Sequence, residues 1–206
     1  MSLTRILACS PKSRSLLLVP LVGLLVACAT PSAPVSKTVY DFGAPVAQPA
    51  GSGPTLSPLA LAEIQTAWGQ NSTAMEYRLA YANGQELTPY SQARWSMPPA
   101  HLVAQRVREV LSQQQPVVSL GDSSTDFVLQ LSLETFGQIF DTPQSSRGSV
   151  QLRATLLKGD TLVAQRKIVA NTPAPSSDAA GGARALSDAT QTAAAELASW
   201  VAERMR

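Results

Sequence analysis

Apolar and polar positions along this chain follow two periods, and the places where one gives way to the other mark its elements. At 75–81 the odd positions Met75, Tyr77, Leu79 and Tyr81 are apolar while Glu76 and Arg78 face away, the period of two required by a half-buried strand. The same alternation predicts strands over 127–134, where Phe127, Leu129, Leu131 and Leu133 oppose Gln130, Ser132 and Glu134, and over 150–156, where Val150, Leu152, Ala154 and Leu156 oppose Gln151, Arg153 and Thr155. A third, at 162–168, alternates less cleanly because Val163 and Val169 sit on the opposite face from Leu162, Ala164 and Ile168. Shorter β-favouring stretches lie at 38–42 and 59–66. Between 98 and 114 the period lengthens: Val103, Val107, Val110 and Leu111 fall at helical spacing behind Pro98-Pro99, with Arg106, Arg108 and Glu109 on other faces. A second helix over 183–205 carries Leu186, Ala189, Thr190, Ala193, Leu197, Trp200 and Val201 on one stripe.

Turn chemistry joins these elements. Asn83-Gly84 is the signal of a hairpin turn that needs positive φ, so 85–90 is expected to return beside 75–81. Lys158-Gly159-Asp160 joins the last two strands, and the Pro-, Gly- and Ser-rich stretches at 44–58 and 172–182 read as loops. The predicted architecture is α+β, an antiparallel β-sheet with two amphipathic helices packed on one face, because helices with one apolar stripe and a sheet with one apolar face bury each other.

The N-terminus has a different pattern. Arg5, Lys12 and Arg14 precede an apolar run over 15–27 that is too short to span a bilayer, for which about 20 apolar residues are needed, and that Pro20 and Gly23 weaken further. The run ends in Leu25-Val26-Ala27-Cys28, which resembles the lipobox of bacterial lipoproteins. The expected organisation is a lipoprotein signal peptide at 1–27, a small polar tether at 28–36 starting from acylated Cys28, and one periplasmic domain at 37–206. The lipobox resemblance implies diacylglycerol on the Cys28 thiol and an N-acyl chain such as palmitate. Ala29, and not Asp, follows it, which in the sorting rule of such lipoproteins favours the periplasmic face of the outer membrane.

Removing 1–27 changes the charge. The whole chain has 16 Lys and Arg against 14 Asp and Glu, but three of the cations and none of the acids lie before Cys28, so the remainder carries 13 against 14, a formal −1. With its cations scattered, that remainder has no nucleic-acid footprint. Cys9 leaves with the signal and Cys28 takes lipid, so no thiol is left for a disulfide, a metal or a nucleophile. The fold then depends on its core alone.

Catalytic chemistry finds little to build on, and the chain reads as a non-enzyme without metal or cofactor. His101 is the only histidine and falls in the first turn of an amphipathic helix, where a partly exposed surface residue is the expected role. The run 122–126 lacks the spaced oxygens and distal Glu of a calcium loop, and Gly181-Gly182 leads into a helix without forming a phosphate cradle. The most distinctive segment is 90–99, where Arg94 and Trp95 directly precede the Pro-initiated helix. Trp95 is expected to pack under the helix start, and Arg94 to serve either an internal carboxylate or aromatic face or a partner's acid. The two residues are the candidate partner-binding pair.

Val39-Tyr40-Asp41-Phe42-Gly43, the Tyr90…Arg94-Trp95…Pro98-Pro99 segment, the strand ending Phe136-Gly137-Gln138-Ile139-Phe140-Asp141 and the Ala-rich closing helix with Trp200, behind a lipobox, together resemble the ABC-type transport auxiliary lipoprotein family, the PqiC-like proteins. The resemblance implies a non-catalytic subunit that works with an MCE-domain (mammalian cell entry) periplasmic protein and an inner-membrane ABC permease and ATPase in envelope lipid transport, supporting outer-membrane integrity. Its oligomeric state is left open, a homo-oligomer included. A lipoprotein partner of another envelope assembly, a secretion pilot or a cell-wall synthase activator, would share the anchor and the fold class.

Overall fold

The computed structural model describes residues 36–44, 56–66, 72–121 and 125–206; the signal peptide, Cys28 and all of the 28–36 tether except Ser36 lie outside them. In chain order the elements are β1 (Thr38–Tyr40), β2 (Leu59–Leu61), β3 (Gln65–Thr66), β4 (Ala74–Leu79), α1 (Ala80–Asn83), β5 (Gly84–Trp95), α2 (Pro99–Leu111), β6 (Val117–Ser119), β7 (Phe127–Thr142), β8 (Ser145–Lys158), β9 (Thr161–Pro173) and α3 (Ala179–Arg204). They fall in one compact unit, Ser36–Arg206.

β7 is the spine of the sheet. Along one edge it pairs with β8 over nearly its whole length, and β8 pairs with β9, the antiparallel meander that the alternation predicts, with Gly159 at φ 55 in the connecting turn. Along its other edge β2, β3 and β4 follow one another, all parallel to it. β4 and β5 are antiparallel, whereas β1 is parallel to β5 and β6 to β2. The α+β class stands, but the sheet is mixed where an antiparallel one is expected. Side-chain alternation is the same in both pairings, and the turn from β4 into β5 reverses the chain once and the α2-containing connection reverses it again, so β7 runs the same way as β4.

Several local differences have identifiable causes. The strand expected over 59–66 is two short pieces, with the Ala62 N–H donating to the Leu129 carbonyl between them. Asn83-Gly84 does not form a positive-φ hairpin turn: Asn83 ends the helical turn α1, Gly84 has φ −68, and the Asn83 side chain accepts the Gln85 N–H. α3 starts ahead of the expected Ala183, because Asp178 caps it by accepting the Gly181 N–H at 2.8 Å, so the Gly181-Gly182 pair belongs to the helix and not to a loop.

The two long helices cover one face of the sheet. Val103 and Val107 of α2 and Ala189, Ala193 and Leu197 of α3 are fully buried against Leu129, Leu133, Leu152, Leu156 and Ile168. Burial of each of the valine, leucine and isoleucine chains contributes about 1.5–3 kcal/mol. α3 lies so close to β8 that a Cβ on Gly148 would stand 2.6 Å from the backbone of Ala185 and Leu186, so only glycine fits there.

A register shift between Leu133 and Thr135 reverses the faces of β7. Before it the odd residues Leu129, Leu131 and Leu133 point at the helices; after it the even residues Phe136, Gln138 and Phe140 do, opposite Val150, Gly148 and Ser146 of an unbroken β8. The bulge thereby puts an amide, Gln138, into the interior.

Candidate functional site

The end of β5 is shaped by a second and larger irregularity. Pairing with β4 jumps from Glu76↔Pro89 to Ala74↔Arg94, so residues 90–93 face Met75 alone. Across this bulge Tyr90 and Trp95 both turn toward the helices, although they differ in parity.

Trp95 is 1% exposed. Its ring meets Phe42 edge-on at 5.9 Å and Phe136 at 5.5 Å, and its backbone N–H donates to the Thr73 carbonyl. The expected packing of Trp95 beneath the start of α2 is what the structure holds, and the ring is thereby taken out of any contact surface. Arg94, between buried Ala93 and Trp95, points to the opposite, helix-free face and is exposed. It lies beside half-exposed Val39 of β1, and its side chain makes no hydrogen bond or ion pair among the described residues. The fold thus separates the pair that the sequence places together.

The internal role considered for Arg94 belongs to Arg106. Its helical position assigns it to an outer face of α2, yet it is 5% exposed. Its guanidinium pairs with Glu109 at 3.2 Å, donates to Gln191 Oε1 at 3.0 Å and to the Phe42 carbonyl at 3.2 Å, and lies 5.7 Å from the Phe42 ring centroid. These contacts tie α2, α3 and the end of β1 together. The i, i+3 Arg106–Glu109 spacing is the sequence signal that could have found it. A cleft of about 240 Å³ opens here, lined by Asp41, Phe42, Met97, Gln105, Arg106 and Glu109, with Arg106 balanced by two acids.

A buried polar cluster lies under the hairpin end. Gln138 Oε1 accepts from the Tyr90 hydroxyl at 2.9 Å, and its Nε2 donates to Ser146 Oγ at 2.8 Å and to the Asp178 carbonyl at 3.2 Å. Burial first, then the negative potential of Tyr77 and Asp178, pushes the Tyr90 phenol above its ordinary pKa, so it remains a donor. Asp178 is held below the usual carboxyl range by the Gly181 N–H and the Ser176 hydroxyl. On the opposite face of the sheet, Glu134 is lowered by hydrogen bonds from Gln151 and Arg153.

His101 is exposed in the first turn of α2. Among the described residues there is no group of three or more His, Cys, Asp or Glu placed to hold a metal, and no helix long and apolar enough to cross a membrane. Residues 122–124 of the acidic run lie outside the described residues; Thr125 and Asp126 form a turn, where Asp126 accepts the Gly159 N–H and Thr125 Oγ1 donates to the Phe127 carbonyl. The arrangement offers contact groups: an exposed cation, a mixed sheet face and a polar cleft.

Residues 45–198 match the family model described as ABC-type transport auxiliary lipoprotein component. No curated protein matches the sequence. The fold is shared with protein XCC0632 from Xanthomonas campestris, assigned to family DUF330, at a TM-score of 0.70 and 22% identity, covering 81% of this chain and 95% of that one. It is also shared with hypothetical protein CT253 from Chlamydia trachomatis, at a TM-score of 0.51 and 7% identity, covering 73% of this chain and 98% of that one. At these identities the likenesses speak to fold alone.

Proposed function

The chain belongs to the ABC-type transport auxiliary lipoprotein family, and from that premise we propose that it is the non-catalytic subunit of an MCE/ABC-type envelope lipid transport system. It is anchored through acylated Cys28 to the periplasmic face of the outer membrane and acts by contact with an MCE-domain protein, while ATP chemistry resides in the inner-membrane ABC permease and ATPase. The observation that carries this reading is the family match, which runs from residue 45 to residue 198 and takes in both long helices up to the last turns of α3.

The site geometry supports action by contact. Arg94 stands exposed on a strand whose neighbouring residues are locked into the core, so its backbone is already ordered before binding and only the freedom of the side chain itself is lost. His101 has an exposed side chain with no hydrogen-bonded nucleophile or carboxylate among the described residues, the opposite of a general base held in a cleft.

A deletion strain tests the reading. Loss of the chain should raise outer-membrane permeability to detergent; the wild-type chain and His101→Ala should restore the barrier equally, and Cys28→Ala should not. Failure of folded His101→Ala to complement would overturn the non-catalytic assignment.

A further inference from the structure

The longest strand edge left open among the described residues belongs to β9. It pairs with β8 alone over its thirteen residues, whereas β1 and β6 have three residues each and β5 leaves its outer edge open only over 84–92, where β1 does not reach. An open edge presents a row of unpaired N–H and C=O groups, and proteins ordinarily blunt such edges with proline, bulges or inward-pointing charge. On β9 the bulge and the proline are confined to the ends, with the one pairing shift at Val163 and the proline at Pro173, and the inward-side charge in the middle, Arg166, is neutralised by Glu196 of α3. The interval from Ala164 to Thr172 is regular, with α3 packed on its inner face.

The edge is also apolar and basic. Leu162, Val163 and Val169 are 59%, 39% and 48% exposed, three of the eight exposed large hydrophobics among the described residues. Arg166 and Lys167 are the only charged residues of β9. Arg166 is paired with Glu196 of α3 on the helix side at 2.7 Å, while Lys167 faces the open side next to Arg153 of β8. Glu134 faces this patch from β7, and it already accepts from Gln151 and Arg153.

We propose that the open edge of β9 receives, as an added strand, an extended segment of the transport partner that carries on one face, at every second position, an acid flanked by apolar residues. The proposal rests on the reading above for who the partner is. A strand added here would pair its backbone with the free groups of β9, set apolar side chains against Val169 and Leu162, and set an acid opposite Lys167. A second copy of this chain fits less well: antiparallel two-fold pairing over all of Thr161–Pro173 centres on Lys167 and places it directly opposite its own copy, a like-charge pair that opposes association.

The test is hydrogen exchange on the full lipidated chain, alone and in complex with the MCE-domain protein. The expected result is at least about tenfold slower exchange of alternate amides between 164 and 172 in the complex, with β1 and β6 unchanged, as for amides that acquire strand partners. The double variant Lys167→Glu/Val169→Lys, whose side chains are exposed, should melt with wild type and lose about tenfold or more in capture of the same protein. A complex that forms with β9 exchange unchanged overturns the inference and leaves the transport reading standing. Absence of any complex overturns both. Protection of β9 in the chain alone as its concentration rises assigns the edge to a second copy and also overturns the inference.

Discussion

The Tyr90 hydroxyl reaches past β4 to donate a 2.9 Å hydrogen bond to Oε1 of Gln138, a fully buried amide that two bulges have aimed at each other's strands. Because Gln138 also donates to Ser146 and to the Asp178 carbonyl, one side chain joins β5, β8 and the start of α3. Every polar atom of that amide has a partner, which is the condition for a buried amide to stabilise a fold and not weaken it.

Gly182 lies against this amide, and an added Cβ would overlap Gln138 Oε1 and come within 2.5 Å of its Cδ. Alanine in a helix is intrinsically better than glycine by about 1 kcal/mol, so propensity alone predicts that Gly182→Ala stabilises. Overpacking a pinned side chain costs about 1–3 kcal/mol and should dominate. Chemical denaturation of Gly182→Ala should therefore show a net loss of stability; a gain would mean that Gln138 is free to move.

Asp178 gives the protein an acid-sensitive cap. Its folded pKa lies below its unfolded value because the Gly181 N–H and the Ser176 hydroxyl favour the carboxylate. Its contribution is therefore complete above the unfolded pKa, about 3.9, and is lost as pH falls through the folded value. Asp178→Asn keeps a capping side chain without the titration. The stability gap between wild type and this variant should be widest near neutral pH and should close below about pH 4; a gap independent of pH contradicts the assignment.

Trp95 and Arg94 should respond in opposite ways. Trp95→Ala empties a site packed by Phe42 and Phe136 and should cost about 3–5 kcal/mol of stability. Arg94→Ala should stay within about 0.5 kcal/mol of wild type, since the side chain is exposed and makes no contact that holds the fold. Its effect should appear as weaker capture of the MCE-domain partner. A large drop in melting temperature for Arg94→Ala would move that residue into the fold and out of the interface.

Replacement of Cys28 by Ser should abolish acyl labelling and leave unprocessed precursor, because the 15–27 run ends in Leu-Val-Ala-Cys and is too short to anchor by itself. Normal processing of Cys28→Ser would remove the lipid anchor from the account.

Much of this fold is legible in the sequence where one period persists. β8, α2 and the first half of β7 announce themselves through sustained alternation or helical spacing, β9 does so less cleanly, and the family follows from an ordered set of short segments. What stays hidden is whatever breaks a period or carries none. Phe136, Gln138 and Phe140 turn inward only because of the shift beside Glu134, and no alternation rule anticipates a change of face within a strand. The direction of β2, β3 and β4 relative to β7 leaves no trace in their side chains. Arg106 looks like a solvated helix residue until Phe42, Glu109 and Gln191 are brought around it from three places in the chain. Arg94 and Trp95 are adjacent in an extended strand, which sends neighbours to opposite faces, so nearness in the sequence does not put them on one surface.

The central claim is that this chain works by contact within an MCE/ABC transport assembly, and crosslinking in intact cells followed by affinity purification on this protein measures that contact directly. The account predicts that mass spectrometry identifies the MCE-domain protein as the main crosslinked species, with the ABC permease and ATPase in the same complex, and that Arg94→Ala lowers its yield without lowering the amount of folded bait. Crosslinks made instead to secretion-pore subunits or cell-wall synthases, with the MCE-domain protein absent, would contradict it.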